Sequence, residues 1–304
     1  MHIKLLAILF IGILSSCHNS DSLTICSFYT GNDYDSQSAQ LWDERLLSIE
    51  SLVKTENFDI IGMQEVNFDR FFSLTGILTD YDSVLGDGED RTDIEELAPI
   101  FFKSDQFILL SKSQYWLSET PDIPGSKSWG AIYPRIVTWA KLQNKTSGHI
   151  FFVFNTHFCH LNEDAQIKSS TLFLQKMNEI AGDAPVVVTG NFNASAETPV
   201  ETLLTLNWDR FHSLRNTAQL AKKSKKPDHK MGSTNGYTPT RHTDHIFVNS
   251  YFNVHSFNYM QSKEIESLYT GHRPVFVELK FLFERMSRNG TLHPAPWEAA
   301  SENQ

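Results

Sequence analysis

Apolar positions along the chain fall into two rhythms. Trp42, Leu46, Ile49 and Val53 recur at three- and four-residue spacing, which predicts an amphipathic helix over residues 41–55. Residues 165–180 predict a second helix and residues 198–206 a short third one. Between them lie short β-rich runs at residues 23–28, 59–65, 185–189, 244–248, 251–259 and 274–283. Two further pairs of runs suggest antiparallel neighbours: 99–102 with 107–110, read as a hairpin, and 136–142 with 149–155. Strands and helices are interspersed without a regular βαβ rhythm, which argues for mixed sheets over a doubly wound one. Two sheets packed face to face, with helices outside, accommodate every run.

A chain of 304 residues, 40% of them hydrophobic, can bury a core without a disulfide or metal to hold it. No Pro/Gly/Ser-rich linker or internal repeat divides it, so one domain is expected over residues 23–285, with a polar tail at 286–304. The formal charge of −10 disfavours long duplex DNA as a partner, since gripping its phosphates calls for a basic face. The dense basic run is Lys222, Lys223, Lys225 and Lys226, followed by His229 and Lys230. It reads as a solvated loop, the functional alternative being a mobile lip that attracts a polyanion.

Residues 1–17 have the form of an export signal: Lys4 leads into an apolar run at 5–14 that ends Leu14-Ser15-Ser16-Cys17, too short to span a membrane. The small residue before Cys17 resembles a lipoprotein signal, in which that cysteine is acylated and tethers the protein to a membrane; ordinary secretion is the alternative. In an oxidising compartment Cys26 and Cys159 could pair, and buried reduced thiols fit equally well. A monomer is expected.

The candidate chemistry lies in five stretches spread from residue 59 to 275. They are Asp59-Ile60-Ile61-Gly62-Met63-Gln64-Glu65-Val66, Phe154-Asn155-Thr156-His157, Val188-Thr189-Gly190-Asn191-Phe192-Asn193, Thr243-Asp244-His245-Ile246-Phe247 and Thr270-Gly271-His272-Arg273-Pro274-Val275. In this order they resemble the endonuclease/exonuclease/phosphatase superfamily. The segment from Trp116-Leu117-Ser118-Glu119-Thr120-Pro121 through Trp129 to Pro134-Arg135-Ile136-Val137-Thr138-Trp139-Ala140 resembles its secreted bacterial branch. The resemblance implies a four-layered α/β sandwich, two mixed and mainly antiparallel sheets flanked by helices, with the site at one end of the sheets. It implies an Mg²⁺- or Mn²⁺-dependent phosphoesterase acting on a small phosphoester. Hydrolysis of such a bond needs a divalent ion to offset phosphoryl charge and a base to orient water.

By the same resemblance Glu65 is the metal ligand, with Glu96 (or Glu95) a second acidic candidate. His157 and Asn193 would hold phosphate oxygens. His272 would contact the phosphate, with Asp244 hydrogen-bonded behind it. Arg135 is a candidate substrate contact, and a structural ion pair is its plainer reading.

Three positions depart from the family pattern. Asn191 stands where the pattern has the aspartate taken to orient water, and an amide accepts no proton near neutral pH. Gly271 replaces a second aspartate, and Tyr29 replaces an asparagine at the end of the first strand. Asn32 and Asp33 are near enough to Tyr29 in sequence to be conceivable substitutes. Two readings follow: a metal-dependent phosphoesterase of reduced activity, or a phosphate-ligand binding or interaction protein that has lost catalysis.

Overall fold

The structure, a computed structural model, describes residues 22–31, 38–85, 96–206, 213–225, 242–261 and 272–282. The leader with Cys17, the polar tail, Asn32, Asp33, Glu95, Gly271 and the basic run beyond Lys225 lie outside these residues.

Eighteen elements follow in order: β1 (Ser22–Tyr29), α1 (Ser38–Glu56), β2 (Ile60–Gln64), α2 (Phe68–Ile77), β3 (Tyr81–Val84), β4 (Ile100–Lys103), β5 (Phe107–Trp116), β6 (Ile136–Asn144), β7 (Ile150–His157), α3 (Glu163–Ala181), β8 (Val186–Asn191), α4 (Pro199–Leu204), β9 (Arg215–Asn216), α5 (Thr217–Leu220), β10 (Lys223–Lys225), β11 (Asp244–Val248), β12 (Phe252–Tyr259) and β13 (Val275–Phe281). They form a seven-stranded sheet, β10-β12-β13-β1-β2-β4-β3, and a six-stranded sheet, β5-β6-β7-β8-β11-β9. The sheets stack with β1 over β8 and β2 over β7. This is the expected four-layered α/β sandwich.

Strand alternation assigns each residue to a layer. Leu23 and Ile25 of β1 face the other sheet, joining Ile60, Phe102, Phe107, Val153, Val187, Ile246 and Val277 in the central core. Cys26 and Phe28, one pleat out of phase, pack under α1 with Ile49, Leu52 and Val53. On the opposite outer face Phe173, Leu174 and Met177 of α3 cover Phe152, Phe154, Val186 and Val188. Helices end where the local chemistry lets them. Asn162 caps α3 by accepting from Ala165 N at 3.1 Å, and Thr198 caps α4 with Pro199 in its first turn.

Two connections put a site at one end. β1 and β2 run parallel, as do β7 and β8, so all four carboxyl ends emerge on the same side of the stack. β11 runs antiparallel to β8 and starts there, with Asp244 opposite Asn191. Along the inward rows, polarity rises toward that end: Leu23-Ile25-Ser27-Tyr29, Phe151-Val153-Asn155-His157 and Val187-Thr189-Asn191.

The 99–102 and 107–110 runs do not form a hairpin. β4 pairs with β2 and β3, and β5 with β6 in the other sheet. Residues 104–106 carry the chain across, and Phe102 and Phe107 both point into the central core with ring centroids 6.5 Å apart. Part of the basic run is likewise strand: exposed β10 pairs parallel to β12 at the sheet edge, where lysines discourage further pairing. Cys26 and Cys159 are free and buried.

Asn155 ties the sheets together just below the site. Its Oδ1 accepts from Gln64 Nε2 at 2.7 Å and Thr189 Oγ1 at 3.0 Å, while its Nδ2 donates to the carbonyls of Met63 at 2.7 Å and Pro99 at 2.9 Å. Gly62 makes room, because a Cβ there would lie 2.0 Å from Thr189 Oγ1. Replacing Asn155 by leucine would take one partner from each of four buried groups, of which Gln64 Nε2, Thr189 Oγ1 and the Pro99 carbonyl keep another. A loss on the order of 3 kcal/mol or more is expected in chemical denaturation. An unchanged midpoint would show that the tie contributes nothing.

Candidate active site

The strand ends bring together Tyr29, Glu65, His157, Asn191, Asn193, Asp244 and His272, and the segment before the Leu97–Val66 bridge adds Glu96. Thus the catalytic candidates His272, Asp244, His157, Asn193 and Asn191 share one end of the fold with the metal candidates Glu65 and Glu96.

Glu65 leaves β2 with φ of 59°, a left-handed conformation that non-glycine residues seldom adopt. The surroundings hold it there. Thr30 Oγ1 donates to the carbonyls of Gln64 at 2.9 Å and Glu65 at 3.1 Å, and Arg70 Nη1 donates to the Glu65 carbonyl at 3.3 Å. Arg45 fixes the neighbouring β1 exit through the Thr30 carbonyl at 2.9 Å. Asn193, with φ of 50°, makes the matching bend after β8.

Asn193 Nδ2 donates to the Phe158 carbonyl at 2.8 Å, which fixes the direction of its amide. The same Nδ2 lies 2.9 Å from His157 Nε2, which must therefore accept. The imidazole proton then sits on Nδ1, which donates to Glu96 Oε1. Arg135 donates to the other oxygen of Glu96. Burial first, and the Arg135 charge second, hold the His157 pKa well below its ordinary value, so the ring is neutral. The sequence assigned His157 to phosphate oxygens. In the folded chain both its ring nitrogens are engaged internally, and it orients Glu96.

Ligand atoms of Glu65, Glu96 and His157 lie within 4.8 Å of one another. Given the tautomer, His157 offers no lone pair on the Glu96 side, which leaves the two carboxylates as the ready ligands. Burial raises the pKa of Glu65, and the charge of Glu96 raises it further. Burial also pushes Glu96 up to about 7, despite the Arg135 contact. Burial is the larger cause of both shifts, with Arg135 opposing it at each carboxylate and Arg70 at Glu65; the carboxylate oxygens suit a hard divalent cation. The residues fit a metal of that kind.

His272 Nδ1 lies 2.8 Å from Asp244 Oδ2, the expected pair. Burial opposes protonation of His272, but Asp244, by charge and hydrogen bond, outweighs it, so the His272 pKa is raised. Tyr29 lies between the two histidines, stacked on His272 at 4.0 Å between centroids and edge-on to His157 at 5.8 Å. Burial and the nearby carboxylates keep its phenol protonated. Asn191 Oδ1 accepts from the Asn193 amide at 2.9 Å, while its buried Nδ2, like Asp244 Oδ1, has no partner among the described residues.

His160 and Tyr133, which no sequence motif singled out, flank Arg135. Arg135 Nη2 lies 3.2 Å from His160 Nδ1, and the guanidinium carbon is 5.9 Å from the Tyr133 ring centre. The ion pair foreseen for Arg135 is formed, at the centre of the acidic cluster.

A model of the Endonuclease/Exonuclease/phosphatase family matches residues 27–258. The chain belongs to that family. Its members generally depend on a divalent metal, and Glu65, Glu96 and His157 form a group that could hold one. Among solved structures, an endonuclease/exonuclease/phosphatase from Bacteroides vulgatus is similar with TM-score 0.77 and 30% identity, over 86% of this chain and 99% of that one. The mannosyl-6-phosphatase of Bacteroides thetaiotaomicron is similar with TM-score 0.72 and 28% identity, over 85% of this chain and 100% of that one. An uncharacterized protein of Acanthamoeba polyphaga mimivirus is 26% identical over 79% of this chain and 92% of its own length. The fold is that of the family's phosphoesterases.

The raised Glu96 pKa has a consequence for the metal-free protein. Between about 4.5 and about 7 the folded state holds a proton there that the unfolded state has released. Glu96 should therefore favour folding less as pH rises through that window. In chelator, the stability difference between wild type and Glu96→Gln should fall from pH 4.5 to 7 in paired denaturation curves. A flat difference would show Glu96 titrating normally.

Proposed function

We propose that the chain is a divalent-metal-dependent hydrolase of small phosphoesters, with Mg²⁺ or Mn²⁺ held by Glu65 and Glu96. The observation that carries this reading is the convergence of two largely buried carboxylates, Glu65 and Glu96, beside His157, their ligand atoms within 4.8 Å of one another. When bound, such an ion offsets charge on the phosphoryl oxygens. His272, buried but with its pKa raised by Asp244, would add a positive group for the phosphate when protonated. His157 and Asn193 hold Glu96 and the β8 exit in place. Asn191 offers an N–H donor to an oxygen, and lacks the carboxylate that would take a proton from water.

Similarity to a mannosyl-6-phosphatase supports phosphorylated sugars as the first substrates to try. The charge of −10 supports small ligands over duplex DNA. The leader and Cys17 support an exported, lipid-tethered protein.

A second reading is favoured by Asn191 and Tyr29: a phosphate-ligand binding or interaction protein without turnover. The phenol fills space beside His272, and the amide cannot act as a base.

Hydrolysis of sugar-phosphate monoesters and a generic diester in Mn²⁺ or Mg²⁺ separates the two. The enzyme reading expects slow turnover, abolished by Glu65→Ala. It expects Asn191→Asp to raise kcat by tenfold or more, toward the ~10²–10⁴ that a general base supplies. Inert wild-type protein that still binds phosphate monoesters would support the second reading. Tyr29→Asn should raise kcat as well; no change would relieve Tyr29 of any obstructing role.

A further inference from the structure

Arg135 is 4% exposed, and its Nη1 sits inside the cluster proposed above to hold a metal. That nitrogen donates to Glu96 Oε2, lies 3.8 Å from Glu65 Oε1, and is 2.9 Å from His157 Nδ1. Because His157 carries its proton on Nδ1, the last contact brings two donors together, and only their shared target, Glu96, explains it. A divalent ion held by Glu65 and Glu96 would draw on the same Glu96 carboxylate that Nη1 engages.

The rest of the side chain is less committed. Arg135 Nε is buried without a partner among the described residues. Nη2 already faces outward, 3.2 Å from exposed His160, with the Tyr133 ring beyond. The main chain stays pinned, since the Arg135 carbonyl accepts from Leu117 N at 2.7 Å. A side-chain rotation toward His160 and Tyr133 would exchange the carboxylate for an imidazole and an aromatic face, both competent partners for a guanidinium.

We propose that Arg135 is a resident cation competing with a divalent metal ion for Glu96: it holds the two carboxylates and His157 in register before metal arrives, and withdraws toward His160 and Tyr133 when metal binds. Arg135 is thus a positioning residue that weakens metal affinity as it preorganises the site. The inference rests on the metal-binding reading of Glu65 and Glu96.

The test is direct Mn²⁺ titration by calorimetry and by electron paramagnetic resonance, without substrate, on wild type, Arg135→Gln and the Glu65→Ala/Glu96→Ala double variant. Competition predicts that Arg135→Gln binds Mn²⁺ roughly tenfold or more tightly than wild type, with the double variant binding none. A merely structural arginine would give the opposite change, because its loss would disorder the ligands. Equal or weaker binding by Arg135→Gln overturns the competition while leaving the metal site standing. Absence of Mn²⁺ binding in both proteins overturns the site itself, and the competition with it.

Should Arg135→Gln fold poorly, wild type alone suffices. Its Arg135 Nε–H signal, assigned with Arg135→Lys, should shift during an Mg²⁺ titration in step with metal occupancy. A signal that stays put while metal binds overturns the proposal.

Discussion

The Asn155 side chain is the constraint on which the site depends. Its two acceptor positions and two donor positions are all used, and they reach into both sheets. Hydrophobic packing between the sheets is strong but non-directional, and would tolerate some sliding of one sheet across the other. Three directed bonds from one side chain, to Gln64, Met63 and Pro99, set the registry, and the fourth anchors that side chain to Thr189 in its own sheet. One pleat further along the same rows stand His157, Asn191 and Tyr29, and Glu65 follows Gln64 directly. Distances across the site are therefore largely inherited from this tie.

Above it the site divides into two electrostatic halves. On one side Glu65 and Glu96 stand as a buried acidic pair beside Arg135. On the other Asp244 favours a positive His272. Tyr29 lies between His157 and His272, whose pKa values are moved in opposite directions, down by burial and Arg135 at His157 and up by Asp244 at His272.

Much of this was legible in the sequence, for physical reasons. Long elements such as α1 and α3 announce themselves through spacing, and the inward rows of β7 and β8 through alternation. Five short motifs located Glu65, His157, Asn191, Asn193, Asp244 and His272. Short or exposed elements such as α2, β3 and β10 carry too few periods to be read. The mistaken hairpin at 99–110 arose because two apolar runs with a brief polar gap look the same whether the chain turns back within a sheet or crosses to another. The role of Arg135 was hidden for a different reason: local sequence reports charge, while its place between Glu65 and Glu96 is a product of the folded geometry. The orientation of His157 likewise hangs on one backbone carbonyl, that of Phe158.

The level at which Asn155 sits also separates two kinds of mutational target. Substitutions at or below it disturb the joint between the sheets and are felt by folding. Tyr29 and Asn191, one pleat above it, take no part in the four bonds of that joint. A chain built this way can lose, soften or regain chemistry by single replacements while its architecture persists, so kinship in shape and kinship in reaction are free to part company.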